Sequence, residues 1–258
     1  MLSVNKLRTV IQRKVSRAIA LFDMFTDGER VLVGLSGGAD SLVLVDMLYE
    51  VSRRWQKNIQ FLPVYVDAGF FRIPDVKFEQ LRAFCESRGM SFSILDGTEI
   101  ASIVEARKTR LSPCFTCSRM RRKILFEHAH KLGIKKIALG HHQDDLLATF
   151  FLNIIFSRRI SAIKPVQDFF GGLFYIVRPM ILVPEKYIKR YASARNFPIV
   201  DKNCPYAGDT MRELAKQFLR YIERRYPGAR KNIMRALFNP QIEYLWVEYK
   251  RMADRIIK

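Results

Sequence analysis

Cysteine is scarce in this chain, with four residues among 258. That is too few for the disulfide frameworks that staple small secreted domains. Glycine (13) and proline (10) are also few beside an apolar fraction of 49%, which excludes a disordered chain. No run of ~20 apolar residues occurs, so no membrane-spanning helix is expected; the longest runs, 59–66 and 176–183, are short and interrupted. Acid is the remaining shortage. Asp and Glu number 25 against 44 Lys and Arg, a formal net charge of +19. A folded surface so charged attracts polyanions, above all nucleic acid, with an anionic membrane surface as the competitor. A chain of this length buries ~70–75% of the surface its unfolded form exposes, enough for one large or two small domains.

The segment 6–25 carries Lys6, Arg8, Arg13, Lys14 and Arg17 and no acid before Asp23. Leu7, Val10, Ile11, Val15, Ala18, Ile19 and Phe22 recur near helical spacing, the pattern of an amphipathic helix. Organelle transit peptides share that pattern, but the apolar face runs directly into the first core strand, which favours a docked helix. No apolar secretory core follows Met1, so a cytoplasmic protein is expected.

Short apolar strands alternate with helices from there on. Strands are expected at 30–35, 60–66, 91–95 and 135–139, with helices at 42–51, 75–88, 114–131 and 144–155. Buried strands of this length between helices imply a doubly wound parallel α/β sheet. Beyond residue 160, Gly171-Gly172 marks a hairpin between 162–170 and 173–178. Helices are expected at 184–196, 209–226, 230–238 and 241–258. The chain divides into an N-terminal helix at 1–28, an α/β core at 29–200 and a basic helical region at 201–258.

Three elements carry chemistry. Ser36-Gly37-Gly38-Ala39-Asp40-Ser41 joins a buried strand to a helix. Glycines there turn backbone N–H groups toward a ligand, the helix start adds partial positive charge, and the serines offer hydroxyl donors. The loop reads as a phosphate cradle, yet it lacks the GK[ST] ending of a Walker A motif and the third glycine of a dinucleotide fingerprint. Gly140-His141-His142-Gln143-Asp144-Asp145 follows the fourth strand. Adjacent histidines do not suit a zinc site; a carboxylate near Mg²⁺ and phosphate suits the loop better, and helix capping by Asp144 or Asp145 is compatible with that role. Both loops lie where ligands bind in such sheets, off the carboxyl ends of strands. Cys114 and Cys117 form a CxxC at a helix start, and Cys204 lies beside Pro205. A redox pair, a structural zinc and an iron–sulfur cluster all remain open for these three. Cys85, His128 and His130 are expected to be ordinary helix residues.

SGGADS resembles the PP-loop of the adenylating ATP pyrophosphatases, which include tRNA lysidine synthetase, the tRNA thiolases and GMP synthetase. GHHQDD is similar to the element that accompanies it in tRNA-modifying members. Pro113-Cys114-Phe115-Thr116-Cys117-Ser118-Arg119-Met120-Arg121-Arg122 and the stretch Pro198-Ile199 to Cys204 resemble the tRNA 2-thiocytidine biosynthesis (TtcA) family, and the likeness runs from about residue 7 to 238. The resemblance implies that Ser36, Gly37, Gly38, Asp40 and Ser41 hold ATP phosphates, and that Val66, Asp67, Gly140 and His141 meet the nucleotide. It implies catalytic roles for Asp40, Arg121, Asp144 and Asp145 with Mg²⁺, and a [4Fe-4S] cluster on Cys114, Cys117 and Cys204. The chain departs from the family at Ala39, where lysine is usual, and at 201–203, where many relatives have a further cysteine.

The expected function is therefore ATP-dependent thiolation of tRNA at C2 of cytidine 32 in the anticodon loop. The resemblance further implies a cysteine-desulfurase-type sulfur donor and admits a homodimer. Two alternatives stand beside it: another PP-loop tRNA-modifying reaction, of 2-thiouridine or lysidine type, and a non-catalytic basic RNA-binding protein with a structural metal.

Overall fold

Strand β1 (Arg30–Gly34) lies near the middle of a six-stranded sheet. Val31, Leu32 and Val33 are fully buried, as a strand covered on both faces requires. The computed structural model describes residues 3–55, 57–107, 112–200, 204–206 and 211–245. Parallel to β1 run β2 (Gln60–Asp67) on one side and β4 (Lys136–Ala138) on the other. Outside β2 lies β3 (Ser93–Asp96), and beyond β4 lie β6 (Phe174–Val177) and β5 (Val166–Phe169). The order β3-β2-β1-β4-β6-β5 reverses direction between β1 and β4. That reversal is a topological switch point, where the loops leaving two neighbouring strands diverge and open a crevice. The sheet is not wholly parallel: β5 pairs antiparallel with β6 through the expected glycine hairpin, with Gly171 and Gly172 at positive φ.

Helices cover both faces: α1 (Val4–Leu21), α2 (Ala39–Ser52), α3 (Asp75–Glu86), α4 (Glu99–Arg107), α5 (Pro113–Lys131), α6 (Gln143–Ser157) and α7 (Glu185–Ala194). The basic C-terminal part adds α8 (Met211–Arg225) and α9 (Ala229–Ala236). Helix α1 buries Leu7, Ile11, Val15, Ala18 and Ile19 and packs on α2 and α7. Its apolar face therefore belongs to the core, at ~1.5–3 kcal/mol for each large side chain removed from water. Leu219 of α8 and Met234 of α9 join that same core, and α8 packs along α6.

Under the sheet, Asp46 ties three elements together. Its Oδ1 accepts bonds from Arg88 Nε and Nη2 at 3.0 and 2.6 Å, and its Oδ2 accepts one from Tyr191 Oη at 2.8 Å. Arg88 also lies over the Phe84 ring, 3.6 Å from its centroid. Cys85 is fully buried, and burial pushes its thiol pKa up to about 12, the behaviour of an inert small hydrophobe.

Two sequence expectations change. Helix α4 was not anticipated; it is short and buries only Ile100 and Val104, one turn apart. The helix expected at 241–258 does not start at Gln241. Ile242–Tyr244 forms a single 3-10 turn, and Leu245 is already extended. The rest of that stretch lies outside the described residues, as do 209–210 at the start of the helix expected at 209–226. Among the described residues no helix is long and apolar enough to cross a membrane.

Candidate functional site: a nucleotide crevice at the switch point

The glycine-rich loop is held in shape by its own serines. Ser41 Oγ accepts the Ser36 N–H at 3.0 Å, lies 3.2 Å from Ser36 Oγ and donates to Gly38 O at 2.9 Å. Gly37 adopts φ +76° and its carbonyl accepts the Val200 N–H at 2.9 Å. A Cβ at Gly37 would add left-handed strain and lie 3.0 Å from the Val200 side chain. Gly38 caps α2 without a side-chain bond, which leaves the first amides of the helix directed at whatever fills the crevice.

The second loop, leaving β4, packs against the first. A Cβ on Gly140 would lie 3.2 Å from the Asp40 carbonyl and 3.3 Å from the Ser41 nitrogen, so any side chain here would push the two loops apart by a few tenths of an ångström. Asp145 Oδ2 accepts the His142 N–H at 3.1 Å and closes the start of α6. His142 is buried with four carboxylates around it. Its Nε2 lies 3.4 Å from Asp145, 3.8 Å from Asp40 and 3.8 Å from Glu185, and its Nδ1 lies 3.9 Å from Asp144. Burial raises the Asp40 pKa, and Asp145 and Glu185 add to the rise against the opposing pull of His142. For Asp145 burial acts upward, but His142, Lys216 and His141 outweigh it and hold the carboxyl below its ordinary range. His141 is driven down to about 3, first by burial and then by Arg178, so its ring is neutral.

The C-terminal helices supply the balancing cations. Lys216 of α8 lies 3.7 Å from Asp145 and 3.1 Å from Glu185. Burial alone would lower its pKa; the two carboxylates reverse that and raise it. Arg212 lies 3.5 Å from Asp145, and Arg230 of α9 donates to Asp144 Oδ1. Asp144 Oδ2 accepts the Glu185 N–H at 2.8 Å, capping α7. Asp144 therefore spends both oxygens inside the protein and is not on the cavity wall.

Between the loops opens a cavity of about 1240 Å³. Ser36, Asp40, Ser41, Val66, Gly140, His141 and Asp145 from the strand-end loops line it, together with Cys114 and Arg121 of α5. Gly37 and Gly38 shape the first of these loops. Asp67 ends β2 and uses Oδ1 on the Gly69 N–H at 3.0 Å. Cys117 packs into the core beneath α5. Cys204 lies two residues before Tyr206, whose carbonyl is 3.8 Å from Cys114 Sγ and whose hydroxyl donates to Glu105 at 2.5 Å. The segment bearing Cys204 is thus brought to the start of α5. No disulfide joins these thiols, and among the described residues no three of His, Cys, Asp and Glu converge on a metal position. His128 is half-buried and His130 exposed on α5, both away from the cavity.

Sequence reasoning named His142 in the second loop without giving it a role, and missed Glu185, Arg178, Arg212, Lys216 and Arg230. A signal existed for Arg178, an arginine standing inside the apolar stretch 173–183. None existed for Lys216 or Arg230, which read as the polar faces of amphipathic helices.

Two strand-end loops, one offering helix amides and one offering carboxylates, define an α/β protein that binds a phosphorylated nucleotide at its switch point. A family model described as the PP-loop domain matches residues 7–215. The tRNA-cytidine(32) 2-sulfurtransferase of Marinobacter nauticus is 34% identical over 245 residues, covering 95% of this chain and 80% of the relative. The enzyme of that name from Photorhabdus laumondii is 34% identical over 92% of this chain and 77% of its own. Among solved structures, the U34-tRNA thiolase NcsA from Methanococcus maripaludis, with its [4Fe-4S] cluster, superposes with a TM-score of 0.72 over 95% of this chain and 82% of that one. At 23% identity that likeness speaks for the fold. The chain belongs to the PP-loop domain family and, within it, to the family of the tRNA-cytidine(32) 2-sulfurtransferases.

Proposed function

We propose that this chain adenylates the C2 oxygen of cytidine 32 in the anticodon loop of tRNA, using ATP, and replaces that oxygen with sulfur to give 2-thiocytidine. The observation that carries the reading is that one cavity is lined both by Ser36, Ser41 and Asp145 of the strand-end loops and by Cys114 and Arg121 of α5. An oxygen on C2 is a poor leaving group, and transfer of AMP to it makes it a good one. The amides at the start of α2, with Ser36 and Ser41, hold the phosphates of ATP and meet the charge that grows on pyrophosphate. Asp40 and Asp145 fit the Mg²⁺ that accompanies ATP: Asp40 Oδ1 is buried with no hydrogen-bond partner, and both carboxylates line the cavity. Val66 places a β2 end beside the adenine position. Neutral His141 brings no positive charge of its own to the phosphates. Arg121 stands one turn beyond Cys117 and two beyond Cys114, so the thiol-bearing start of α5 and a fixed cation share one helix face. There Arg121 stabilises negative charge on the activated base.

The chemistry of the donors at α5 is that of a [4Fe-4S] cluster, three thiols outside any disulfide with Cys114 on the cavity wall and the Cys204 segment meeting α5 at Tyr206, although the three do not converge on one position in this structure. Cys114, Cys117 and Cys204 would hold it, and three thiolates leave one iron able to bind sulfur. Sulfur from a cysteine-desulfurase-type donor, a cytoplasmic setting and a homodimeric state belong to the same proposal. The excess of cations grips the tRNA backbone, and a base in a loop is splayed out at lower cost than one in a duplex.

The test is an anaerobic incubation with tRNA, Mg²⁺, ATP and sulfide, followed by nucleoside mass spectrometry, with iron and zinc analysis of the same protein. The expected result is 2-thiocytidine at position 32 with release of AMP and pyrophosphate. Cys114→Ala is expected to bind tRNA as the parent does and to incorporate no sulfur. Retained thiolation in that variant overturns the role given to the thiols, and zinc in place of iron overturns the cluster.

A further inference from the structure

Arg178 is the one charged residue of the apolar hairpin strand and its end, and only 4% of its surface is exposed. It follows β6 directly. Its own N–H bonds to Pro165 O at 3.0 Å, while the carbonyl of the preceding Val177 accepts the Leu139 N–H at 3.0 Å. The side chain is thereby fixed beside the Gly140-His141 turn and on the wall of the cavity. A guanidinium has five N–H donors. Arg178 Nη1 donates to Lys164 O at 2.6 Å and Nη2 to Gln167 Oε1 at 3.0 Å, while Nε is buried with no partner. Among the described residues Arg178 forms no ion pair. Burial and then the like charge of Arg122 push its pKa down to about 10, against the weaker opposing pull of the Asp145 carboxylate. Arg122 itself is half-buried on α5 and lines the same cavity. Its Nε is turned to Ser118 O at 3.2 Å.

A buried cation with an unused donor, facing a second cation across a cavity, is costly unless an anion completes it. The phosphates of ATP already have their cradle on the β1 side, and Arg178 stands two strands away from it, beyond β4, about 10 Å at the spacing of neighbouring strands. Resting on the tRNA-modifying reading above, we propose that Arg178 and Arg122 form a second phosphate subsite, separate from the glycine-rich loop, that takes a backbone phosphate of the RNA next to the target nucleotide. A phosphodiester there holds the strand by a planar, bidentate contact and presents the base to the nucleotide across the cavity. The neighbouring Arg159 and Lys164, also on the wall, continue the positive path outward.

The experiment measures tRNA binding at a series of salt concentrations, and ATP binding separately by equilibrium dialysis, for the full chain and for Arg178→Gln, Arg178→Lys and Arg122→Gln. Melting temperatures establish that each variant is folded. Arg178→Gln is expected to weaken tRNA binding at least tenfold and to flatten the slope of log K against log salt by about one phosphate contact, about 0.7–0.9. ATP affinity stays within twofold of the parent. Arg178→Lys, which keeps the charge and loses the fork, is expected to recover most of the slope and part of the affinity. Where Arg178→Gln does not fold, Arg122→Gln on the helix surface carries the test with the same expected signature. The proposal is overturned when the folded variants lose ATP affinity with tRNA binding unchanged, which would make this a triphosphate contact. It is overturned equally when neither affinity changes and only the melting temperature falls. A parent protein that binds ATP but no tRNA instead defeats the functional reading on which the subsite rests.

Discussion

Gly140→Ala tests the packing of the two loops directly. The added methyl would lie 3.2 Å from the carbon and oxygen of the Asp40 carbonyl and 3.3 Å from the Ser41 nitrogen. All three are backbone atoms in the first turn of α2, so no flexible side-chain end can swing aside. Either the β4 loop or the phosphate cradle must shift by a few tenths of an ångström. Overpacking of this kind costs about 1–3 kcal/mol. If the cradle takes the displacement, that cost appears in nucleotide binding, where 1.4 kcal/mol is tenfold. The expected outcome is an ATP dissociation constant raised about 5- to 150-fold, read by equilibrium dialysis. Gly133→Ala is the control. Gly133 closes α5 at φ +66° with nothing within 4 Å of the added carbon, so the substitution costs about 1 kcal/mol of left-handed strain. At about 2–4 °C per kcal/mol for a chain of this size, it should lower the melting temperature by a few degrees and leave ATP affinity alone. Gly140→Ala with ATP affinity within twofold of the parent and an unchanged melting temperature would refute the claim that the loops meet at this glycine.

Three further outcomes follow from the same geometry. Removing the Asp46 carboxylate by Asp46→Ala leaves Arg88 and Tyr191 buried without their shared acceptor. Losing one partner of a buried pair costs about 3–5 kcal/mol, so the melting temperature should fall by about 6–20 °C, and a drop below about 2 °C would count against the network. Burial holds the His141 pKa down to about 3, well below the ordinary imidazole range near 6.5, so between those values the unfolded chain binds more protons and stability falls as the pH drops. The melting temperature of the parent should therefore decline from pH 6.5 toward pH 4, and His141→Asn should flatten that decline; an unchanged slope would show that the ring is not held neutral. The depressed carboxyls of Asp145 and Glu185 contribute stability that is present above their ordinary pKa values and lost below them, so their share appears only under about pH 4 in both proteins.

What could be read from the sequence was whatever is encoded within one strand and the turn that follows it. The apolar run ending in Ser36-Gly37-Gly38 is local in this sense, because chain direction, glycine spacing and helix start all fall within a dozen residues. The same holds for Gly140 to Asp145, and these two loops are enough to locate the crevice once the sheet is known to reverse between β1 and β4. Asp144 and Asp145 show where local reading ends. They are neighbours in a single motif, but successive positions on a helix point about 100° apart. Asp145 consequently reaches the cavity, while Asp144 turns to Arg230 and the start of α7. Choosing between them requires the position of α7 and α9, which lie 41 and 86 residues further on. The cations that balance the motif pose the same problem in reverse. Lys216 and Arg212 look like the solvated face of an amphipathic helix until α8 is laid along α6. The electrostatics of the nucleotide loop are therefore set by the basic C-terminal helices. A change on their polar face that would be neutral in an isolated helix should alter the charge balance at Asp145, and with it the binding of Mg²⁺ and ATP.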